Sequence, residues 1–289
     1  MLDLDYFGQV HSVFNQTVNI STADSRLYSI AAAHIDNAPH NIRVAAPMHF
    51  SEMGIQPGDK VEATPGKLLV GKLTIDLADI VLWESILPEF PCKYPANLLE
   101  DNTKIMRKCI ASNGKSGGLW DVWFSKAACC NQNVFIASLT ERAQAFLTAL
   151  RSKRFDDAYR TGCKLIGLGG GLTPSGDDFC AALLTVMNMP GSPFSEKYQS
   201  LGYRLAEAAV RQTTAISQEM LITAAEGQAR ENVITLLREV ISGSEVTIEA
   251  AALKVLQMGS LSGTDWAVGL TAGLELGREL AEISEQGGN

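Results

Sequence analysis

A glycine-rich stretch, GLGGGLTPSGDDF from Gly167 to Phe179, is the first feature of this chain whose residue types suggest chemistry. Its glycines expose backbone amides, and two hydroxyl residues stand just before an apolar run that predicts a helix. Amides at the start of a helix bind anions, because they point outwards and the helix dipole is positive there. We therefore predict a phosphate or substrate anion site formed by Gly169, Gly170, Gly171, Thr173 and Ser175.

Two different roles for this stretch compete with the anion site. A P-loop or a dinucleotide-binding fold is disfavoured, because no lysine follows the glycines and the preceding segment has a helical rather than an extended pattern. A purely structural role is the stronger competitor. In that case the glycines end one helix, and Ser175 and Asp178 form a capping box that begins the next.

The same pattern occurs a second time near the C-terminus. SGTDWAVGL begins at Ser262, which stands 87 residues after Ser175, and both copies read Ser-Gly-x-Asp-aromatic before an apolar run. A capping box explains the serine and the aspartate, but not the glycine between them. We predict that Gly176 and Gly263 leave amides of the first helical turn open, and that the two turns face each other across one anion site. Ser262 and Thr264 would lie in its wall.

A third block, RQTTAISQEMLITAAEGQ, begins at Arg211 and groups three hydroxyls with a cation. If a helix begins here, Ser217 lies one turn after Thr213 or Thr214, so the hydroxyls are neighbours. Hydroxyls and a guanidinium suit phosphate oxygens, so Arg211, Thr213, Thr214 and Ser217 are predicted to bind the anion. The alternative is that one threonine only caps the helix that contains Ile216.

Three aspartates are the candidate catalytic residues: Asp177, Asp178 and Asp265. Carboxylates repel phosphate, but they accept hydrogen bonds from a carbamoyl or amide NH2 group. Asp177 is the strongest candidate if Asp178 and Asp265 are used as helix caps. Carboxylates also suit a divalent cation, so a Mg²⁺ ion bridging to phosphate is the alternative, and the sequence requires no cofactor.

The composition of the chain disfavours several classes of partner and site. The 289-residue chain has a net charge of -8, which disfavours nucleic acid and anionic membranes as partners. It has no apolar run that could span a bilayer and does not begin with a secretory signal, so we expect a cytoplasmic protein. Its six cysteines show no CxxC spacing and its four histidines all lie in the N-terminal part, so no zinc site is predicted.

The elements that must position these residues divide the chain into two parts, and the predicted fold class is α+β. Residues 1–93 are predicted to form a β-rich domain, a small sheet or barrel, because short β-branched runs alternate with turn signals. Three prolines between Leu87 and Pro95 predict a linker. Residues 94–289 are predicted to form a mostly α-helical domain that carries the glycine-rich stretch and both Ser-Gly-x-Asp copies.

Individual elements follow from the period of the apolar residues. Strands are expected over Val10–Ile20, Arg26–Ala32 and Ile42–Ala46, with further strands between Gly58 and Trp83. Helices are expected over Thr140–Ser152, Phe155–Ile166, Phe179–Met189, Leu201–Val210, Ile216–Ala229, Val233–Ile241, Ile248–Met258 and Trp266–Ile283. The stretch Asn113–Gln132 fits neither pattern.

Together the blocks GGGLTPSGDDF, TTAISQEMLITAAEGQ and LQMGSLSGTDWAVGLTAGLELG resemble the signature blocks of the AllH-like family, in the same order and over roughly Cys163 to Gly277. The N-terminal VHSVFNQTVNI resembles the family's opening more loosely. The resemblance implies a subunit of the carbamoyltransferase that connects oxalurate and phosphate with oxamate and carbamoyl phosphate in anaerobic allantoin breakdown. It also implies a small anionic substrate and a hetero-oligomer with co-encoded subunits.

Two further functions stay open beside carbamoyl transfer. A Mg²⁺-dependent, kinase-like phosphotransferase would hold its cation on Asp177 and Asp178. A non-catalytic scaffold subunit would use the three blocks as an interface. Mg²⁺ bound at Asp177 favours the first, a packed loop without a cavity favours the second, and an anion on the loop without a metal favours carbamoyl transfer.

Overall fold

The computed structural model describes residues 7–45, 49–64, 66–92, 96–125 and 133–286. The chain divides into two compact units, Met1–Ser85 and Ile86–Asn289. The first is built of strands and the second of helices, so the predicted α+β class is confirmed. Within these described ranges, no helix combines the length and the apolar character needed to cross a membrane.

A seven-stranded sheet forms the first unit. Its strands are β1 Phe7–Val13, β2 Thr17–Thr22, β3 Leu27–Ala32, β4 Asn41–Val44, β5 Lys60–Thr64, β6 Lys67–Val70 and β7 Leu73–Asp76. Their order across the sheet is β4-β3-β2-β1-β5-β6-β7, and the neighbouring pairs are antiparallel except β3 with β4. Alternate apolar side chains, among them Val18, Ile20 and Ile30, bury one face of the sheet together with Phe50.

The run Val10–Ile20, predicted as one strand, is a hairpin. Strands β1 and β2 are joined by a turn that is closed by a hydrogen bond from the Phe14 amide to the Thr17 carbonyl (2.8 Å). Val10 and Ile20 lie in the same core on the two arms, so the apolar alternation alone does not reveal the reversal. Asn15, a common turn residue, is the signal that marks it. The strand predicted over Ile42–Ala46 is β4, although Ala46 itself lies outside the described residues.

Helices build the second unit. Within its described residues they are α1 Ala96–Asn113, α2 Leu119–Phe124, α3 Val134–Arg151, α4 Phe155–Leu165, α5 Ser175–Met187, α6 Glu196–Ala209, α7 Ala215–Ala225, α8 Glu231–Ser242, α9 Glu245–Leu256 and α10 Ser262–Gln286. Each predicted helix is present. Helix α3 begins before Thr140, because the Asn133 side chain caps it by accepting the amides of Phe135 and Ile136. Helix α1 lies in a stretch for which no bounds were predicted, and α2 lies in the ambiguous one.

The proline-rich segment predicted as a linker packs on the helical unit over its described part, residues 87–92. Leu87 and Phe90 are buried, and the Phe90 amide donates to the Pro190 carbonyl (2.8 Å). The Phe90 ring fills the space beside Gly277, where an added Cβ would come within 2.6 Å of it. Two apolar anchors therefore bind this segment to the second unit, while residues 93–95 lie outside the described ranges.

Helices α5 and α10 lie side by side and run in the same direction. Gly269 and Gly273 of α10 lie against Ala182 and Val186 of α5, so closely that an added Cβ would come within 2.6 and 3.0 Å of their Cβ atoms. Both pairs are separated by the same 87 residues that separate the two Ser-Gly-x-Asp copies. The register therefore places the N-terminal ends of α5 and α10, and with them the two copies, next to each other. Every residue of α5 is buried.

Candidate functional site

The glycine-rich loop connects α4 with α5, and its tip is exposed. Gly167 (φ 76°) and Gly169 (φ 134°) have left-handed backbones, and a Cβ on Gly167 would lie 2.2 Å from the Gln212 carbonyl oxygen. Glycine is therefore required at the base of the loop, where the loop approaches the connection between α6 and α7. Gly170 and Gly171 are exposed instead, and a Cβ on either would meet no atom within 4 Å. The tip of the loop is open to solvent.

Asp177 ties the loop to the hydroxyl block. Its side chain is buried, its Oδ1 accepts the Gly167 amide (2.7 Å), and its Oδ2 accepts the Thr213 hydroxyl. Burial raises the pKa of this carboxyl, and hydrogen bonds from Thr213, Gly167 and Ser217 lower it in part. Because donors of the protein occupy both oxygens, this geometry favours a structural role for Asp177 over the catalytic role that the sequence suggested.

Thr214 caps α7, which is the structural alternative that the sequence left open. Its hydroxyl accepts the Ser217 amide (3.1 Å) and donates to the Leu172 carbonyl (2.5 Å), so the cap also holds the loop. The Ser217 hydroxyl lies 3.5 Å from the same carbonyl oxygen. The hydroxyls of Thr213, Thr214 and Ser217 therefore lie against the glycine-rich loop and Asp177, where they have partners within the protein.

The predicted capping box at Ser175 and Asp178 is wrong. Pro174 is the N-cap residue of α5, and no side chain caps this end of the helix. Ser175 is already the first helical residue, and the Asp178 amide makes an ordinary helical hydrogen bond to the Pro174 carbonyl (3.1 Å). The helix begins one residue earlier than a serine cap requires, which leaves both side chains for contacts with other elements.

The glycines of the two Ser-Gly-x-Asp copies are explained by close packing. A Cβ on Gly176 would lie 2.0 Å from the Leu165 carbonyl oxygen, and a Cβ on Gly263 would lie 2.0 Å from that of Val255. Each carbonyl belongs to the last turn of the preceding helix. The two glycine amides donate to carbonyls of the preceding connections (3.0 and 2.9 Å). These amides are therefore not open, in contrast to the expectation from the sequence.

Asp178 and Asp265 lie where the ends of α5 and α10 meet. Both are buried, and their neighbours are reciprocal: Ser262 of α10 faces Asp178, and Ser175 of α5 faces Asp265. Asp265 Oδ1 accepts the Leu119 amide (2.7 Å). No group in the described part of the chain has hydrogen-bond geometry to Asp265 Oδ2 or to either oxygen of Asp178. Buried acceptors without a donor are rare, so these three atoms stand out.

The protonation of these carboxyls follows from their surroundings. Burial raises the pKa of Asp178 well above its ordinary range, the Ser262 and Thr173 hydroxyls lower it, and the carboxyls of Asp265 and Asp177 raise it. Burial is also the main reason that the pKa of Asp265 rises to about 6. Asp178 thus has a strong preference for the neutral acid, which offers one donor and one acceptor.

The segment before α2 completes this region, and the sequence did not identify it. Gly118 packs against both helix starts: an added Cβ would lie 2.6 Å from Asp265 Oδ1 and 2.9 Å from Ser175 Oγ. The Lys115 amide donates to Thr264 Oγ1 (3.1 Å), which gives this predicted site residue a partner within the protein. The sequence signal was the glycine pair Gly117-Gly118 in the ambiguous stretch, but no local pattern connected this pair with α10.

Arg211 is exposed, and the described residues provide no hydrogen bond or ion pair to its side chain. Thr173, by contrast, is half-buried and faces Asp178. Among the residues whose positions are described, no three His, Cys, Asp or Glu side chains are close enough together to hold a metal ion. The site therefore has three parts. They are the exposed tip of the loop, the buried Asp177 carboxyl that is hydrogen-bonded to Gly167 and Thr213, and the buried carboxyls of Asp178 and Asp265.

Two family models match the chain. The model described as oxamate carbamoyltransferase subunit AllH matches residues 165–274, and the model described as AllH family N-terminal domain matches residues 2–82. The first match runs from the end of α4 into α10, so it contains the glycine-rich loop, the hydroxyl block and both Ser-Gly-x-Asp copies. The second match contains the seven strands. No solved structure matches the chain.

Proposed function

Since the chain belongs to the AllH family, whose description is oxamate carbamoyltransferase subunit, we propose that its helical unit carries part of a carbamoyl-transfer site. The reaction is the cleavage of oxalurate by phosphate to oxamate and carbamoyl phosphate, or its reverse. The observation that carries this assignment is the position of the glycine-rich loop, whose exposed tip directly precedes α5 and the two buried carboxyls.

In this function the loop tip binds the anionic group. No acceptor in the described residues takes the amides of Gly169, Gly170 or Gly171. The parallel helices α5 and α10 point two positive dipole ends towards the same region, which favours negative charge there. Burial raises the pKa of Asp178 and so disfavours its ionised form, which lessens the repulsion that two ionised carboxylates would exert on phosphate.

The chemistry needs little more than positioning and charge stabilisation. A phosphate oxygen attacks the ureido carbonyl carbon of oxalurate, the bond from this carbon to the inner nitrogen breaks, and that nitrogen takes the proton that hydrogen phosphate gives up, which yields oxamate and carbamoyl phosphate. Donors aimed at the phosphate and at the carbonyl oxygen stabilise the charge that develops in the transition state. No side-chain nucleophile is required. The word subunit in the family description supports a multi-subunit complex, and in this proposal partner subunits supply the rest of the site.

A charge placed on the loop tip tests this function. Gly170 has space for a side chain, so Gly170→Asp and Gly170→Asn differ in charge and hardly in shape. We expect Gly170→Asp, in a complex with the co-encoded subunits, to raise the KM for phosphate or oxalurate about 10- to 100-fold relative to Gly170→Asn. A like charge several ångströms from a bound anion at a partly screened site costs about 1–3 kcal/mol.

The control is Gln199→Glu on the exposed side of α6, which adds the same charge away from the loop and should leave KM unchanged. If the complex needs the chain but both Gly170 variants keep the wild-type KM, the loop does not bind substrate. The chain would then act as a scaffold.

A further inference from the structure

At the paired starts of α5 and α10, three carboxyl oxygens of Asp178 and Asp265 have no hydrogen-bond donor among the described residues. We propose that the N-terminal ends of α5 and α10 form a receptor for a neutral N–H donor, a primary amide or ureido group, with Asp178 and Asp265 as its acceptors. This receptor rests on the proposed function, because the carbamoyl end of the substrate is the group that it takes, while the loop tip takes the anionic end.

Burial is the first part of the argument. Asp178 is 0% exposed and Asp265 is 1% exposed, so bulk water does not hydrate their oxygens. Within the described residues, both oxygens of Asp178 and Oδ2 of Asp265 lack a hydrogen-bond partner. By contrast, the adjacent and equally buried Asp177 has both oxygens satisfied. The protein thus completes the hydrogen bonds of one carboxyl in this helix turn and leaves the next one for another donor.

The charges around these carboxyls favour a neutral donor over a charged one. Two parallel helices present their positive ends here, which disfavours a cation in contact with the carboxyls. An anion in contact with Asp265 is disfavoured, because a carboxyl with a pKa of about 6 is mostly ionised at neutral pH. A neutral N–H group satisfies both conditions, because it donates hydrogen bonds without adding charge.

The neutral form of Asp178 matches an amide in particular. Burial favours the protonated acid at this position, and a protonated carboxyl has a carbonyl oxygen that accepts and a hydroxyl that donates. A primary amide offers the complementary pair, an N–H donor and a carbonyl acceptor. Asp265 adds one further acceptor, because the Leu119 amide occupies only its other oxygen.

The repeat supports a built site rather than an accident of packing. Ser262 lies beside Asp178 and Ser175 lies beside Asp265, so the two helix starts approach each other's carboxyls in the same reciprocal way. Thr173 also faces Asp178 and belongs to the loop whose tip is exposed, so it connects the buried carboxyl with the open part of the site.

Carbamoyl phosphate and acetyl phosphate distinguish the receptor from the anion site. Both carry a phosphate group on an acyl carbon, but carbamoyl phosphate has an NH2 group where acetyl phosphate has a methyl group. We expect the complex of this chain with its co-encoded subunits to bind carbamoyl phosphate at least about 10-fold more tightly than acetyl phosphate, as measured by calorimetric titration. Asp178→Leu should reduce this ratio to near one, and Asp178→Asn, which keeps the shape and one acceptor oxygen, should reduce it at least about 3-fold.

Asp177→Asn is the matched control, since it makes the same change one residue away at a carboxyl that protein donors occupy. It should weaken both ligands equally and leave their ratio unchanged. Equal binding of carbamoyl phosphate and acetyl phosphate by the wild-type complex, both weakened by Gly170→Asp, would overturn the receptor and leave the proposed function standing. Binding of neither ligand would contradict both. If Asp178→Leu does not fold, the ratio measured with Asp178→Asn decides.

Discussion

Replacing Asp177 and Asp178 by asparagine, one at a time, should affect stability very differently, although the two residues are adjacent and both are buried. Asp177 accepts the Gly167 amide and the Thr213 hydroxyl, and so connects α5 with the loop and with the start of α7. Asp178 has no hydrogen-bond partner for its carboxyl among the described residues. The free energy of unfolding at neutral pH therefore separates the two roles.

The expected change in the free energy of unfolding follows from the hydrogen bonds that each substitution removes. Hydrogen bonds to a charged group contribute about 1.5–3 kcal/mol each, and neutral ones about 0.5–1.5 kcal/mol. Asp177→Asn can keep the Gly167 bond through its Oδ1, but its NH2 group then faces the Thr213 hydroxyl, which must turn round to accept. We expect a loss of about 1–2 kcal/mol. Asp178→Asn removes no hydrogen bond of the required geometry, and its amide cannot ionise at a position where burial disfavours charge, so we expect no loss, or a gain of up to about 1 kcal/mol.

The assay is urea unfolding of the full chain at pH 7, followed by tryptophan fluorescence. Trp120, Trp123 and Trp266 lie in the helical unit, and Trp123 packs on Phe179 of α5 (5.5 Å between ring centroids). The midpoint should fall for Asp177→Asn and stay or rise for Asp178→Asn, with unchanged slopes. If Asp178→Asn costs as much as Asp177→Asn, Asp178 has a structural partner, and the roles assigned to the two carboxyls are wrong.

Three further outcomes follow from the same geometry. Burial raises the pKa of Asp265 to about 6, above its value in the unfolded chain. The free energy of unfolding therefore contains the full contribution of this carboxyl below about pH 4. It loses roughly 2–3 kcal/mol as the pH rises through 6. Asp265→Asn should remove this part of the pH dependence of unfolding, and an unchanged profile would show that the carboxyl is hydrated. Gly176→Ala and Gly263→Ala should each destabilise by about 3 kcal/mol, since the new methyl would lie 2.0 Å from a backbone oxygen, and wild-type thermal midpoints would refute this. Gly170→Ala, whose methyl meets no atom, should unfold within about 0.5 kcal/mol of the wild type in the same urea titration.

Local patterns predicted the helices better than they predicted the roles of individual atoms. The repeated Ser-Gly-x-Asp motif correctly indicated two helix starts, because apolar periodicity is a local property of the chain. It did not reveal that Gly176 is needed for the approach of the Leu165 carbonyl, since that contact depends on how α4 folds back on α5. The capping box failed for a related reason, because Pro174 begins the helix in place of the serine.

The sequence also could not show which of the two carboxyls, Asp177 or Asp178, would lack a hydrogen-bond partner. Adjacent residues of a helix point about 100° apart, so only one of them faces any given neighbour. Helix α7 packs on one side of α5, and Thr213 just before α7 donates to Asp177, while α10 packs on another side and brings Asp265 towards Asp178. The sequence shows two carboxyls in a row, but the packing of distant helices decides which one is left without a partner.

The most direct test of the central claim is to assemble the co-encoded subunits with and without this chain, and to measure phosphate-dependent formation of oxamate from oxalurate. The subunits alone should be inactive. Activity should rise with added chain until a fixed stoichiometric ratio is reached, and the Gly170→Asp chain should restore it only at raised substrate concentration. Full activity without the chain, or equal activity with the wild-type and Gly170→Asp chains at low substrate, would contradict a carbamoyl-transfer site in this subunit.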